Sequence, residues 1–504
     1  GDVDVDRYNI EEETRQVHLS AREISPGKLS KYAKNWINYH LKYTHGYGLV
    51  MTPANQKGNK AMEWYIMDIP PVSEYFDVEE PGIYYGLEDY PYVIAPNDIG
   101  ELAYPGEKQN IETNYRGSGG VPVSSLFMKL IFAFYYKERN IFFTTKTNPE
   151  SRILFRRNIR KRIETITPFF LLDQDPYLVV TSERLYWIQD AFTTSEWYPY
   201  AVPHEDRLNY IRNSVKIVVD AYSGTVNYYI ADPTDPFIRG YNRIYPGLLK
   251  PLDEMPEEVR QHIRYPKDFY EVQMAVYTKY HQTVPETFYQ DEDRWEPSRF
   301  YRQKQLIEVE PYYITLNLIE PDKHEFLLMT PMSPENRDVM RALPIVGNDG
   351  ENYGRIVIYS FPKGELVYGP SQITALIDQD TEIAEQFTLW DQIGSEVRRG
   401  KMIIFIIGQD ILFIQPVYLR AAAELKIPEL KRLIMSQGDV VVMESSLQEG
   451  FMRLKEKLDE KLGPIPGRRP EETTVPSAVP EAEEGPGMIK EPPEDADRLS
   501  APEE

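Results

Sequence analysis

A weak internal repeat joins Leu185-Tyr-Trp-Ile-Gln-Asp-Ala-Phe-Thr193 to Val215-Lys-Ile-Val-Val-Asp-Ala-Tyr-Ser223, 30 residues further along the chain. Each segment has the pattern of a β-strand followed by an Asp-Ala-aromatic-Thr/Ser turn. An aspartate at a strand end can accept hydrogen bonds from the backbone amides of the next turn, and Gly224 allows an unusual backbone conformation there. We interpret the repeat as two hairpins of one sheet. A pair of turns that holds a ligand is the alternative.

Further strand and helix patterns lie on both sides of the repeat. Strand-like runs cover residues 178–180, 226–230, 355–361, 402–407, 411–417 and 440–443. Helical spacing covers residues 29–41, 123–137, 149–163, 371–390 and 446–462, with 123–137 expected to be buried and 371–390 to break at Asp380. Strands and helices do not alternate regularly. This favours an α+β fold with mixed, largely antiparallel sheets and packed helices over a doubly wound parallel sheet.

The composition changes near residue 463. Residues 464–504 hold many prolines, 11 acidic and four basic residues, and almost no large apolar side chain. Such a segment cannot bury enough surface to offset its loss of conformational entropy on ordering. We therefore predict one large globular domain over 1–463, followed by a disordered, acidic, Pro/Glu-rich tail over 464–504. Proline-rich breaks leave open a division of the globular part into two lobes near 285–300.

Charge and composition exclude several classes of protein. The 504 residues include 56 basic and 79 acidic side chains, a net charge of −23, which argues against nucleic acid as a partner. Cysteine is absent, so disulfides, thiolate metal sites and a cysteine nucleophile are excluded. The polar start predicts no signal peptide, and the missing initial Met predicts a chain cut from a longer one. No apolar run reaches the roughly 20 residues that a spanning helix needs, so we expect a soluble chain.

The common catalytic motifs are missing or incomplete. Gly46-Tyr-Gly48 lacks the third glycine of a dinucleotide fingerprint, and no phosphate-binding P-loop or His-Glu-x-x-His zinc motif is present. His40 and His45 are five residues apart, a spacing that suits a shared metal poorly on a helix. We predict a core role for His40 and a helix-end cap for His45. A metal or acid–base role is the alternative for both.

Two Asp-Gln-Asp sequences provide the candidate metal ligands Asp173, Asp175, Asp378 and Asp380. Carboxylates crowded in loops are what a hard cation such as Ca²⁺ requires. The 12-residue spacing of a calcium loop is absent, and aspartate also forms ordinary turns and helix caps. We therefore expect no cofactor, with Ca²⁺ as the alternative.

A cationic block interrupts the acidic chain at Arg152, Arg156, Arg157, Arg160, Lys161 and Arg162. On a helix over 149–163 these residues would form either a solvated face paired with nearby acids or a contact surface. The contact surface would bind lipid phosphates at a membrane or an acidic partner.

Several short motifs in a fixed order resemble the uncharacterised protein family 0182, a group of large prokaryotic membrane proteins. The resemblance extends from about Asp4 to Gly463. The motifs that carry it include Asn38-Tyr39-His40-Leu41, Tyr43-Thr44-His45-Gly46-Tyr47-Gly48, Ser151-Arg152-Ile153-Leu154-Phe155-Arg156-Arg157-Asn158, Asn209-Tyr210-Ile211-Arg212-Asn213-Ser214-Val215-Lys216, Val219-Asp220-Ala221-Tyr222-Ser223-Gly224, Arg264-Tyr265-Pro266 and Gln415-Pro416-Val417-Tyr418.

The resemblance implies a location more than an activity. Family members resemble a bundle of about seven membrane-spanning helices followed by one large domain outside the cytoplasm. This chain would be that extracytoplasmic domain, held at the cell membrane by helices that it lacks. The family has no established activity, so the resemblance supplies no catalytic residues.

We expect a non-enzymatic extracytoplasmic module for assembly with copies of itself or with cell-envelope components. The first alternative is an enzyme or transporter accessory that acts on an envelope polymer or lipid, with Asp173, Asp175, Asp190 and His40 or His45 near a cleft. The second is a structural domain stabilised by Ca²⁺.

Overall fold

A computed structural model describes residues 3–55, 62–205, 208–302, 305–362, 364, 366–392, 395–408, 410–421 and 428–462. The chain divides into two compact units, Gly1–Lys455 and Glu456–Glu504. Residues 285–300 contain a short helix and a short strand of the first unit, and a division into lobes there stays a prediction. The tail predicted over 464–504 lies outside the described residues.

The strands of the described residues are mostly short. In the first half of the chain they are β1 Asp4–Ile10, β2 Glu13–Ala21, β3 Gly46–Tyr47, β4 Leu49–Pro53, β5 Gly82–Ile83, β6 Val93–Ala95, β7 Glu101–Pro105, β8 Asn110–Thr113, β9 Val121–Pro122, β10 Arg152–Leu154, β11 Leu171–Leu172, β12 Tyr177–Val180, β13 Leu185–Ser195, β14 Tyr210–Asp220, β15 Val226–Ile230 and β16 Leu249–Pro251. In the second half they are β17 Trp295–Pro297, β18 Arg299–Arg302, β19 Gln305–Glu308, β20 Tyr312–Leu316, β21 Glu325–Met329, β22 Met332–Pro334, β23 Ala342–Gly347, β24 Ile356–Ser360, β25 Ser395–Arg399, β26 Ile403–Ile407, β27 Asp410–Ala421, β28 Pro428–Gln437 and β29 Val440–Glu444.

The helices are distributed among these strands. They are α1 Leu126–Tyr136, α2 Asn140–Phe143, α3 Ile159–Ile166, α4 Pro236–Ile244, α5 Glu257–Arg260, α6 Lys267–Tyr280, α7 Pro285–Gln290, α8 Pro370–Gln379, α9 Thr381–Gln392 and α10 Leu447–Leu462. Within the described ranges, no helix combines the length and the apolar character needed to cross a bilayer.

The named strands pair antiparallel with one exception, the parallel pair β15–β16. The largest sheets have the orders β11-β13-β14-β15-β16, with β12 also beside β13, and β17-β22-β23-β21-β20, with β24 also beside β23. A five-stranded sheet has the order β25-β27-β28-β29, with β26 also beside β27. The mixed, largely antiparallel α+β fold is confirmed.

The central hairpin β13–β14 is covered on both faces. Alternate side chains such as Trp187 and Ile217 belong to one apolar core, while Ile188 and Val218 belong to a second core that residues around α5 complete. Successive side chains of a strand point to opposite faces, so a nearly continuous apolar run is required when both faces are buried. This requirement explains the apolar character of the repeat.

The two halves of the repeat differ at their ends. The second half is confirmed as a strand and turn: the Asp220 carboxylate accepts the backbone amides of Tyr222 and Ser223 at 2.8 and 2.9 Å. Gly224 then adopts a φ of +70°. The turn predicted at 190–193 is wrong, because β13 continues through a bulge to Ser195. The side chain of Asp190 bonds across to β14 and leaves its own backbone free to continue the strand.

Three helix predictions differ from the structure. Residues 149–163 do not form one basic helix, because buried Ile153 and Leu154 pair in β10 with β6 and only the end of the segment belongs to α3. Residues 29–41 form two short helical turns, one of them the π-helical turn Asn38–Lys42. The helix over 123–137 exists as α1, but most of it is exposed. The break at Asp380 and the helix predicted over 446–462, which is α10, are confirmed.

Candidate functional site

Helix α1 presents an exposed apolar surface. Its sequence, LFMKLIFAFYY, contains one charged residue, and the Ser125 hydroxyl caps its start by accepting the Met128 amide at 3.2 Å. The side chains of Leu126 and Phe127 are each 70% exposed, and that of Phe134 is 86% exposed. Six large apolar residues lie along one side of the helix, spaced alternately one and three positions apart. We call them the α1 face: Leu126, Phe127, Leu130, Ile131, Phe134 and Tyr135.

The opposite side of α1 fixes the helix to the protein. Phe132 is buried against Phe155, with ring centres 5.8 Å apart, and Tyr136 packs on Tyr92 at 4.4 Å. The Lys129 ammonium turns inward and donates to the Thr144 carbonyl at 3.1 Å. The helix is therefore held in place while its apolar face stays uncovered.

The surroundings of the α1 face are cationic. Residues 126–148 contain four basic residues and one acidic residue, in a chain whose net charge is −23. Lys137, Arg139 and Lys146 are exposed. An exposed apolar helix flanked by lysine and arginine is typical of a segment that lies in the interface of an anionic membrane.

Within the predicted cationic block, Arg157 is a buried structural residue. Its Nε donates to the Tyr84 carbonyl at 2.7 Å, one terminal nitrogen donates to Pro91 at 3.2 Å, and the other donates to Thr44. Three separate segments of chain are thus joined through one guanidinium.

Two further arginines of the block also bond to backbone carbonyls. Arg152 donates to Gly119 at 2.6 Å and to Gly120 at 3.0 Å, while Arg160 donates to the Asp173 carbonyl at 2.6 Å. Arg156 differs from them. It is exposed, and it makes no hydrogen bond or salt bridge to the described residues. The block therefore does not form one cationic surface, because Arg156 is its one exposed arginine and the exposed Lys161 pairs with Asp89. A membrane or partner contact by the block stays a prediction.

Arg156 lines a pocket of about 780 Å³ together with His40, Tyr90, Lys161 and Asp89. The His40 Nδ1 atom donates to the Tyr92 carbonyl at 2.6 Å, and its ring stacks on that of Tyr92 at 4.0 Å. Burial lowers the pKa of His40. The predicted core histidine is therefore half-buried and lies at a pocket wall.

His45 is a core residue of a different kind. Its ring stacks on that of Tyr84 at 4.4 Å, and burial, with the nearby charge of Arg157, lowers its pKa to about 3. The imidazole is therefore neutral near neutral pH and packs within the core. The helix-end cap predicted for it is wrong, since β3 follows directly and Thr44 is its side-chain partner.

The first predicted metal pair, Asp173 and Asp175, has partners within the protein. Asp173 accepts the backbone amides of Asp175 and Asp268 at 2.9 and 3.2 Å. Burial, followed by the charges of Asp190 and Asp268, raises its pKa to about 7. Burial alone would raise the pKa of Asp175 too, but Arg264 and Lys267, at 2.9 and 2.8 Å, lower it overall.

The second pair, Asp378 and Asp380, also has ordinary partners. Asp378 forms an ion pair with Arg399 at 2.8 Å, and Asp380 accepts the Ile383 amide at 3.0 Å at the start of α9. Across the described ranges, no group of three or more histidine or acidic side chains is arranged to hold a metal ion. The contacts are those of turns, caps and ion pairs, and the alternative of a Ca²⁺ site at these residues stays a prediction.

Asp190, a candidate of the catalytic alternative, belongs to a buried ion pair. It lies opposite Lys216 on β14, and both side chains are almost completely buried. Lys216 also donates to the Arg264 carbonyl at 3.0 Å, and Asn213 donates to Asp190 at 2.8 Å. The Oδ1 atom of the Asp190 carboxylate therefore accepts from two side chains of the same chain. Only the pairing of the strands reveals this, so sequence analysis missed it.

The α1 face was also missed as a functional surface. A run of apolar residues at helical spacing predicts a buried helix, and nothing in the run says which of its sides has neighbours. The sequence signal that could have identified the α1 face as a contact surface is the group of basic residues around it, which a core helix of an acidic protein does not need.

Comparisons with known proteins identify relatives but no activity. The model of an uncharacterised protein family, UPF0182, matches residues 1–390. A UPF0182 protein of Syntrophobacter fumaroxidans is 56% identical over 460 residues, which cover 90% of this chain and 53% of that protein. One of Nitrosococcus oceani is 52% identical over 470 residues, covering 90% and 54%, and one of Methylococcus capsulatus is 44% identical over 480 residues, covering 91% and 54%. The chain spans about half the length of these relatives. No solved structure matches it.

Proposed function

The chain belongs to the uncharacterised protein family UPF0182, and we propose that it is the extracytoplasmic module of a membrane-anchored protein that rests on the bilayer surface through the α1 face. The module supplies contacts and shape for assembly at the cell envelope rather than catalysis. The anchoring helices belong to the part of the relatives that this chain does not cover.

The observation that carries the proposal is the α1 face itself. A soluble protein normally covers a contiguous set of large apolar side chains, because each fully buried one contributes about 1.5–3 kcal/mol. Six of them lie uncovered on a helix that is fixed from behind by Phe132 and Tyr136. A bilayer interface is a cover that suits both the apolar side chains and the cations beside them.

The length of α1 selects the mode of contact. Eleven residues at 1.5 Å per residue give a helix about 16 Å long, and the hydrocarbon core is about 30 Å thick. The helix is too short to span and would lie in the plane of the interface. Attachment through other helices would keep its local concentration at the membrane high, so a modest intrinsic affinity suffices.

The catalytic alternative receives less support from the site. Of its candidate acids, Asp173 accepts two backbone amides, and Asp175 and Asp190 each form salt bridges to basic side chains.

Vesicle flotation of the purified chain tests the proposal. We expect the parent to float with phosphatidylcholine vesicles that contain phosphatidylglycerol, and Leu130→Gln/Phe134→Gln to bind at least about tenfold more weakly, because two insertions of about 1 kcal/mol or more are lost. The matched control is Val276→Gln/Tyr280→Gln on α6, whose side chains have the same spacing and are 50% and 57% exposed.

Equal binding by the two double variants, or no vesicle binding by the parent, would reject the proposal. Association with copies of the chain is the competing use of the α1 face. In that case light scattering would show an oligomer that dissociates in Leu130→Gln/Phe134→Gln and persists in the α6 control.

A further inference from the structure

The pocket beside α1 has features of an anion site. It measures about 780 Å³, and its charged or titratable lining residues are Arg156, Arg157, Lys161, His40 and Asp89. Arg157 already donates to three backbone carbonyls. Lys161 pairs with Asp89 at 2.6 Å, and both side chains are mostly exposed, so this salt bridge contributes little and can open. Arg156 forms no salt bridge to any residue in the described ranges.

Arg156 is placed outward by the residues on each side of it. Phe155 packs on Phe132 of α1, and Arg157 is buried. Arg156 between them adopts a φ of +51°, in the left-handed region that residues with a side chain rarely occupy. An unfavourable backbone that exposes an unpaired guanidinium is the kind of strain found at binding sites. The planar guanidinium can donate two parallel hydrogen bonds to a phosphate group.

His40 adds a second polar group to the pocket wall. Its Nδ1 donates to the Tyr92 carbonyl, which fixes the ring, and its Nε2 makes no hydrogen bond within the described part of the chain. A ring held in this way can donate from Nε2 to an anion once it is protonated. Burial, the largest effect, lowers the pKa of His40, and the Tyr92 carbonyl and Glu138 only partly offset it, so a bound anion has to supply the charge that favours protonation of the ring.

The pocket and the α1 face share their structural support. Tyr92 stacks on His40 on the pocket side and packs on Tyr136 of α1. Arg156 is close enough to the Tyr136 hydroxyl to act on it electrostatically. Tyr136 lies on the inner side of α1, so these contacts join the pocket to the base of the helix whose outer side is the α1 face. A phospholipid likewise joins a phosphate group to acyl chains.

We propose that the Arg156 pocket binds the phosphate group of an anionic glycerophospholipid whose acyl chains contact the α1 face. Arg156 is the main hydrogen-bond donor to the phosphate, and His40 and Lys161 are further donors. This inference rests on the proposed function. It adds a selectivity for the headgroup that insertion of the α1 face alone would not provide.

Vesicle binding by charge variants tests this selectivity. We expect Arg156→Gln to reduce the preference for phosphatidylglycerol over phosphatidylcholine vesicles about tenfold, the loss of one charge-assisted bidentate contact. Arg139→Gln removes an equal charge beside α1 but outside the pocket, and we expect about a twofold reduction from the weaker surface potential. Arg156→Gly should lose the preference like Arg156→Gln while its Tm stays equal to the parent's or rises, because glycine adopts positive φ without strain. Equal effects of Arg156→Gln and Arg139→Gln would overturn the inference and leave the proposed function intact.

A measurement without vesicles separates the two proposals. We titrate the chain with glycerophosphate and, in a parallel arm, with inorganic phosphate, and follow the His40 ring by NMR. The inference expects a saturable shift with glycerophosphate that Arg156→Gln abolishes. No shift would overturn it, and an equal response to inorganic phosphate at the same concentration would assign the pocket to free phosphate instead of a lipid headgroup. Failure of the parent to bind any vesicle would instead reject the proposed function.

Discussion

Helix α1 and the β13–β14 hairpin depart from the usual distribution of side chains in opposite ways. The hairpin buries the charges of Asp190 and Lys216, whereas α1 exposes six large apolar residues. The buried charges have their partners in the same chain, whereas the described residues leave the apolar side chains of the α1 face largely uncovered. Buried charges that are paired within the chain indicate a structural role. Exposed apolar side chains that the described residues do not cover indicate a contact with something outside the chain.

Breaking the buried ion pair should have the largest effect. We expect Lys216→Met to lower the free energy of unfolding by about 3–5 kcal/mol, because the Asp190 carboxylate would stay buried without its counter-charge. Urea unfolding followed by circular dichroism measures the change.

The double variant Asp190→Leu/Lys216→Met is the control for this prediction. Since it removes both charges, it should recover most of the loss. A single variant as stable as the parent would mean that the hairpin does not depend on this pair.

Two adjacent residues of the cationic block, the buried Arg157 and the exposed Arg156, test the same comparison. We expect Arg157→Met to lower the free energy of unfolding by about 2–4 kcal/mol, because three buried carbonyls would lose their donor. Arg156→Met should change it by no more than about 0.5 kcal/mol. Thermal unfolding of the two variants side by side is the measurement, and similar Tm values would contradict the assignment of inward and outward roles.

The pH dependence of stability distinguishes two other neighbours. Asp173 has a folded pKa of about 7, above its ordinary value, so the folded chain binds the extra proton and stability falls as the pH rises from 4 to 7. We expect Asp173→Asn to gain about 1–2 kcal/mol relative to the parent between pH 5 and pH 8, from urea unfolding at each pH.

Asp175 is the matched control for Asp173. Its pKa is lowered in the fold, so its contribution is complete at pH 5 and is lost only at more acidic pH. The difference between Asp175→Asn and the parent should therefore stay constant from pH 5 to pH 8. A constant difference for Asp173→Asn as well would show that Asp173 is ionised throughout this range.

The α1 face should have the smallest effect on folding. Leu130→Gln/Phe134→Gln exposes no new core surface, and we expect its free energy of unfolding to stay within about 0.5 kcal/mol of the parent's. Phe132→Ala, on the inner side of the same helix, should lower it by about 3 kcal/mol. Equal losses would mean that the α1 face is packed within the protein.

Much of the fold could be predicted from local pattern. The long apolar runs of the central hairpin, the break at Asp380 and the hairpin of β26 and β27 follow from side-chain period and turn residues, which act over a few neighbouring positions. The helix expected over 149–163 failed because Ile153 and Leu154 pair with β6, and that pairing overrides local helical spacing.

The candidate site was less predictable for the same reason. The sequence alone established an acidic, cysteine-free α+β chain with a cationic block and a resemblance to one family. It could not tell that Arg156 points outward and Arg157 inward, or that α1 has neighbours on one side only. Those properties depend on contacts between residues far apart in the chain, such as Arg157 with Thr44 and Tyr92 with Tyr136. Composition and period are local quantities, whereas burial belongs to the assembled fold.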